Sequence, residues 1–167
     1  MKHLPDHRDR LFRAAYALCR SREDAEDLVQ ETFERVLRRP RFLRRDGDLA
    51  YLLRVLRNTW INSYKARSRR PQTVELTEAV EFVLDAGADP IASVAELQAI
   101  YAAVSELPVP MRETIVAVDI VGLSYREAAS ALGVRQGTIM SRLYRARNDV
   151  AERLEQSGVG PPRTPEP

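Results

Sequence analysis

Between Gln136 and Arg147 the chain places amide, hydroxyl and guanidinium groups at helical spacing: Gln136, Thr138, Ser141, Arg142, Arg145 and Arg147. Amides and hydroxyls match the donor and acceptor patterns that base pairs present in the DNA major groove, and guanidinium groups grip phosphates. The interleaved Ile139, Leu143, Ala146, Val150 and Leu154 fall on the other face, so an amphipathic helix would carry the polar set outward. A second cationic cluster, Lys65, Arg67, Arg69 and Arg70, ends just before Pro71. This is chemistry for holding a polyanion. Nothing in the chain resembles a nucleophile paired with a base, a Gly-rich phosphate loop or a set of metal ligands, so no catalytic residue, metal or cofactor is expected. His3 and His7 lie near the N-terminus, where surface positions are the simpler reading, and the lone Cys19 sits in an apolar helical pattern that predicts a buried small side chain.

The elements that must position the polar helix are legible just upstream. Ser124 and Glu127 form an S-x-x-E capping box that starts a helix over SYREAASAL. Ala128 and Ala129 are small enough for a second helix to cross closely. Gly133 can close the turn at positive φ without steric cost, and Val134 and Ile139 anchor the two helices together. The pattern predicts a helix-turn-helix whose second helix enters the major groove.

Helical periodicity also dominates the rest of the chain, so the fold class expected is all-α. One helix is predicted over His7–Arg20, with Leu11, Ala14, Ala15, Leu18 and Cys19 on one face. Ser21 caps the next, which carries Ala25, Leu28, Val29, Thr32, Phe33, Val36 and Leu37 and stops at Pro40. A third runs from about Asp48 to Arg67, with Leu49, Leu52, Leu53, Leu56, Trp60, Ile61 and Tyr64 at helical spacing; Trp60 reads as core. Helices resume over Ile91–Leu107, and after Pro108 and Pro110 another is expected near Met111–Val121.

Charge divides the chain further. Residues 1–71 hold 18 Lys and Arg against 10 Asp and Glu, while residues 72–111 hold seven acidic residues and no basic one. A basic first module, an acidic linker and a mixed second module follow from this, each module with a small core of its own. The expected boundaries are 1–71, a flexible linker over 72–90 with a helical turn near Val80–Leu84, a second module over 91–157, and a Pro-rich disordered tail over 158–167. No apolar run approaches the ~20 residues that span a bilayer, so the chain is expected to be cytoplasmic and not membrane-inserted.

Taken together, DAEDLVQETFERVL (Asp24–Leu37), YLLRVLRNTWINSYKARSRRP (Tyr51–Pro71) and the segment from Leu107 to Val150 resemble the extracytoplasmic-function (group IV) branch of the sigma-70 family. The first stretch resembles region 2.2, the second regions 2.3 and 2.4, and the third region 4. The resemblance implies two small helical domains, region 2 and the helix-turn-helix of region 4, and a protein that directs core RNA polymerase to promoters. Its partners would be core polymerase, promoter DNA as duplex at the −35 element and as melted strand at the −10 element, and an anti-sigma factor; no small-molecule substrate is implied.

The implied sites follow residue by residue. Asp24, Asp27, Gln30, Glu31 and Glu34 form an acidic and amide face that would dock on polymerase. Phe42, Arg44 and Arg45 lie in the loop that would receive a flipped base. Arg54, Arg57, Asn58, Asn62, Lys65 and Arg67 would follow the −10 strand, and Arg135, Gln136, Thr138, Met140, Ser141, Tyr144 and Arg145 the −35 duplex. Two positions depart from the family: Leu53 stands where an aromatic is common, and Met140 where Lys or Arg is frequent. The competing expectation is a stand-alone transcriptional regulator that uses only the C-terminal helix-turn-helix.

Overall fold

The computed structural model describes residues 7–38, 48–67 and 94–158. Among these the chain forms seven α-helices: α1 (Arg8–Cys19), α2 (Arg22–Arg38), α3 (Asp48–Arg67), α4 (Val94–Glu106), α5 (Val109–Ile115), α6 (Tyr125–Leu132) and α7 (Gln136–Gln156). The expected linker, its helical turn and nearly all of the tail lie outside the described residues, as do Phe42, Arg44 and Arg45.

The local signals act as anticipated. The Asp24 N–H donates to Ser21 Oγ at 3.3 Å, which starts α2. Ser124 and Glu127 make the full reciprocal capping box at α6, and Gly133 ends that helix at φ 68°. One boundary differs. Helix α5 begins at Val109 and holds Pro110 in its first turn, with Pro108 as N-cap, so the prolines initiate the helix instead of delaying it to Met111. A proline there forfeits only an N–H that would have no intrahelical partner. The helix then widens into a π-helical turn over Val116–Ile120.

The first module is a three-helix bundle of α1, α2 and α3, and the second wraps α4, α5 and α6 around α7. The two do not keep separate cores. Helix α1 packs on α2 and α3 and also on α4 and the π turn, while α3 packs on α6. Leu11, Phe12, Ala14, Ala15, Tyr16, Ala17 and Leu18 are therefore buried nearly all round the helix, and the core runs continuously from Leu52 and Trp60 to Val116 and Ile139. One apolar stripe on α1 was expected; the second module covers the rest. Cys19, at the end of α1, is only partly buried, and Leu37, expected on the core side of α2, is 48% exposed.

Candidate nucleic-acid and polymerase interfaces

Helix α7 is held from behind. Ile139, Leu143, Ala146 and Val150 are buried, and Leu154 packs at their edge. Ala128 and Ala129 of α6 are buried as well, which lets the two helices approach closely. Arg135 is the N-cap of α7: its carbonyl accepts from the N–H groups of Thr138 (3.0 Å) and Ile139 (3.2 Å) while its side chain stays exposed. Gln136, Met140, Ser141, Tyr144 and Arg145 are exposed and Thr138 is half-buried, so the structure places six of the seven sequence-predicted −35 residues on α7 and the seventh, Arg135, at its N-cap. Arg147 is different. Its guanidinium takes Asp119 in a two-pronged contact at 2.9 and 2.6 Å, tying α7 to the π turn and raising the arginine's pKa. The sequence left Arg147 free to point outward; the turn that brings Asp119 to it is a tertiary feature.

The predicted −10 residues divide. Asn58 and Asn62 are exposed on α3, one turn apart. Lys65 and Arg67 belong to its last turn. Arg54 and Arg57 instead meet the second module. Arg54 donates to the Ser130 carbonyl and lies 3.2 Å from Ser130 Oγ. Arg57 Nε lies 2.8 Å from Oε1 of Glu113. The N–H does not point along that line, so the contact is a charge pair without an aligned hydrogen bond. The same interface contains an edge-on contact between Tyr16 and Tyr101, centroids 5.2 Å apart, and an Arg20–Ser105 contact at 3.5 Å. The Arg112 guanidinium sits 6.0 Å from the ring centre of Trp60, which is buried as expected.

On α2 the acidic face is partly neutralised along its own helix, at Glu31 and Glu34. Arg35 holds Glu31 at 2.7 Å, Arg22 holds Glu26 at 3.1 Å, and Glu34 receives both the Gln30 amide (3.2 Å) and Arg38 (3.6 Å). Exposed i,i+4 pairs of this kind contribute only a few tenths of a kcal/mol each, so a partner can displace them at little cost. Beside this face lies a groove of about 630 Å³ between α1 and α2, floored by Phe12, Val29, Phe33 and Leu37 and rimmed by Arg8, Glu26, Gln30 and Glu34. The structure brings Gln30 and Glu34 to the groove; Asp24, Asp27 and Glu31 are not part of its lining. The groove was missed from sequence. Leu37, counted as core, was the available signal, since it stands at the end of α2 where the core has run out.

Among the described residues, then, every element is helical, with a helix-turn-helix whose polar face is exposed and a groove beside the amphipathic α2. Comparison with known proteins makes the class specific. The family of sigma-70 region 2 matches residues 5–70, and that of sigma-70 region 4 matches residues 97–150. The ECF RNA polymerase sigma factor SigE of Mycolicibacterium smegmatis is 34% identical over 154 residues, which cover 89% of this chain and 58% of the relative. The ECF RNA polymerase sigma factor EcfG of Rhodopseudomonas palustris is 32% identical over 146 residues, covering 87% of this chain and 79% of the relative. Among solved structures, the sigma factor RpoE in complex with the anti-sigma factor NepR from Bartonella quintana aligns with a TM-score of 0.70 at 29% identity, over 91% of each chain. CnrH in complex with the cytosolic domain of CnrY shares the fold, with a TM-score of 0.66 at 24% identity over 93% of this chain and 86% of that one.

The chain belongs to the sigma-70 family, in its extracytoplasmic-function branch, the transcription-initiation factors of RNA polymerase. It spans just over half the length of the first of these relatives and about four-fifths of the second. A stand-alone regulator using only the helix-turn-helix is not supported, because the first module matches region 2 in its own right. No helix among the described residues is long and apolar enough to cross a membrane.

Proposed function

We propose that this chain binds core RNA polymerase through α2 and the neighbouring groove and directs it to promoters with two spaced elements. Helix α7 reads the −35 duplex through Arg135, Gln136, Thr138, Met140, Ser141, Tyr144 and Arg145. Helix α3, with Asn58, Asn62, Lys65 and Arg67, follows the melted −10 strand, and Phe42, Arg44 and Arg45 receive a flipped base. Region 2 would occupy residues 1–71 and region 4 residues 91–157, joined by the acidic stretch 72–90. The observation that carries this reading is the helix-turn-helix beside a region 2 module: a fully capped α6, a left-handed Gly133 and an α7 on which Gln136, Met140, Ser141, Tyr144 and Arg145 are exposed and Thr138 is half-buried.

Arg54 and Arg57 join the −10 track only when the two modules part, because both are engaged by the second module in the closed arrangement. The chain acts in the cytoplasm and catalyses nothing itself. The similar RpoE structure is a complex with the anti-sigma factor NepR, and an inhibitor of that kind would stabilise the closed arrangement here. A preparation fully active in its host, with no co-purifying inhibitor, would count against that control.

Run-off transcription with purified bacterial core polymerase, on upstream regions from the source genome, tests the reading. Transcripts that start downstream of a shared pair of elements only when the chain is added support it. Duplex binding without association with core would overturn it.

A further inference from the structure

Four large apolar side chains are exposed among the described residues: Leu37, Val94, Met140 and Tyr144. Leu37 lines the groove beside α2. Met140 and Tyr144 are 53% and 69% exposed and stand one turn apart on α7. A solitary exposed apolar residue needs no explanation. Two stacked at i and i+4, with the exposed Arg135, Gln136, Ser141 and Arg145 around them, form a small apolar strip inside a polar and basic surface. The core does not need them, since Ile139, Leu143, Ala146 and Val150 already fill the buried face of this helix.

The surface that faces a recognition helix offers one sizeable apolar group, the C5-methyl of thymine, among hydrogen-bond donors and acceptors and the small C5–H of cytosine. Methionine suits such a contact because its unbranched thioether adapts to a small target. Tyrosine presents a flat apolar ring and a hydroxyl that can stay in water. Residues i and i+4 of a helix are about 6 Å apart along its axis, and base pairs stack at about 3.4 Å, so the two side chains fall within one or two steps of each other. The flanking Arg135 and Arg145 fit the acidic phosphates on either side of such a strip.

We infer that Met140 and Tyr144 are specificity-determining residues that read thymine methyl groups at neighbouring positions of the −35 element. A Lys or Arg at position 140 would favour guanine instead, through its O6 and N7 acceptors. The strip thus selects A·T pairs where a basic residue would select G·C. This rests on the assignment of α7 to the −35 duplex.

The test uses the full-length chain bound to core polymerase. Preferred −35 duplexes are first selected from a random library, and each thymine is then replaced singly by deoxyuridine, which removes only the methyl group. Loss of one buried methyl should weaken binding by about fourfold at one or two positions and leave the others unchanged. Met140→Ala should abolish the penalty at one of these positions and Tyr144→Ala at the other, and Met140→Lys should shift its preference from A·T to G·C; both sites are exposed, so folding is spared. Sequence selection that persists with deoxyuridine tolerated at every position would overturn the inference while leaving the −35 assignment standing. Absence of any sequence selection in the −35 duplex would remove both.

Discussion

Arg57 in α3 and Glu113 in α5 pair across the two modules, Nε to Oε1 at 2.8 Å, with Glu113 4% exposed and Arg57 26% exposed. The partners are 56 residues apart in the chain, and one of them comes from each sigma region. The arginine can still reach water; the carboxylate cannot.

That asymmetry predicts unequal costs. Arg57→Met strands a buried carboxylate and should cost about 3 kcal/mol, whereas Glu113→Gln leaves a cation that can turn to solvent and should cost about 1 kcal/mol. Urea denaturation of both variants checks the order; equal costs would mean that Glu113 is hydrated. Both variants should also open the modules, seen as a larger radius of gyration by small-angle scattering.

The tyrosine pair gives the closed form a pH limit. Burial pushes the Tyr101 phenol up to about 12, and Tyr16 is raised for the same reason. A raised value means that the folded state resists ionisation, so this contribution is complete below the ordinary value of 10.0 and is lost as pH climbs towards about 12. Alkaline titration followed by phenolate absorbance and near-ultraviolet circular dichroism should show late ionisation coinciding with loss of tertiary signal. Tyr101→Phe should separate the two events.

Arg145 and Arg147 sit two residues apart on α7 and should behave differently. Arg145→Ala is expected to weaken −35 duplex binding and lower the slope of log affinity against log salt by about one. Arg147→Ala removes the Asp119 contact instead, so it should lower region 4 stability and leave the salt slope intact. Salt titrations of both variants distinguish a phosphate contact from a structural tie.

On α2, Asp27→Arg combined with Gln30→Arg should abolish polymerase binding while far-ultraviolet circular dichroism stays unchanged, because both side chains are exposed. Retained binding would move the docking surface off this face.

The cap of α6 is a further point of control. Ser124→Ala should cost about 1 kcal/mol. Hydrogen bonds from Ser124 hold the Glu127 carboxyl below its usual value. Its share of the cap is therefore present at neutral pH and is lost as pH falls through that lowered value. An acid titration of thermal stability should show a step that is missing in Glu127→Gln.

How much of this was legible in advance depends on the range of the interaction. The capping box, the Gly133 turn, the amphipathic faces of α2 and α7 and the boundaries of α3 depend on residues within a turn or two of one another, and the sequence displays those directly. The placement of the residues proposed for the −35 element was legible for the same reason, since one helix and its N-cap carry all of them. Tertiary structure decided the rest. It buried α1 on nearly every side, because helices from the second module cover what the first leaves bare. It assigned Arg147 to Asp119 and Arg57 to Glu113, and it shaped the groove beside α2. Each of these depends on which distant surface arrives opposite a side chain. An arginine written in sequence carries the same charge whether a phosphate or a carboxylate meets it, and only the packing of the modules determines which one does.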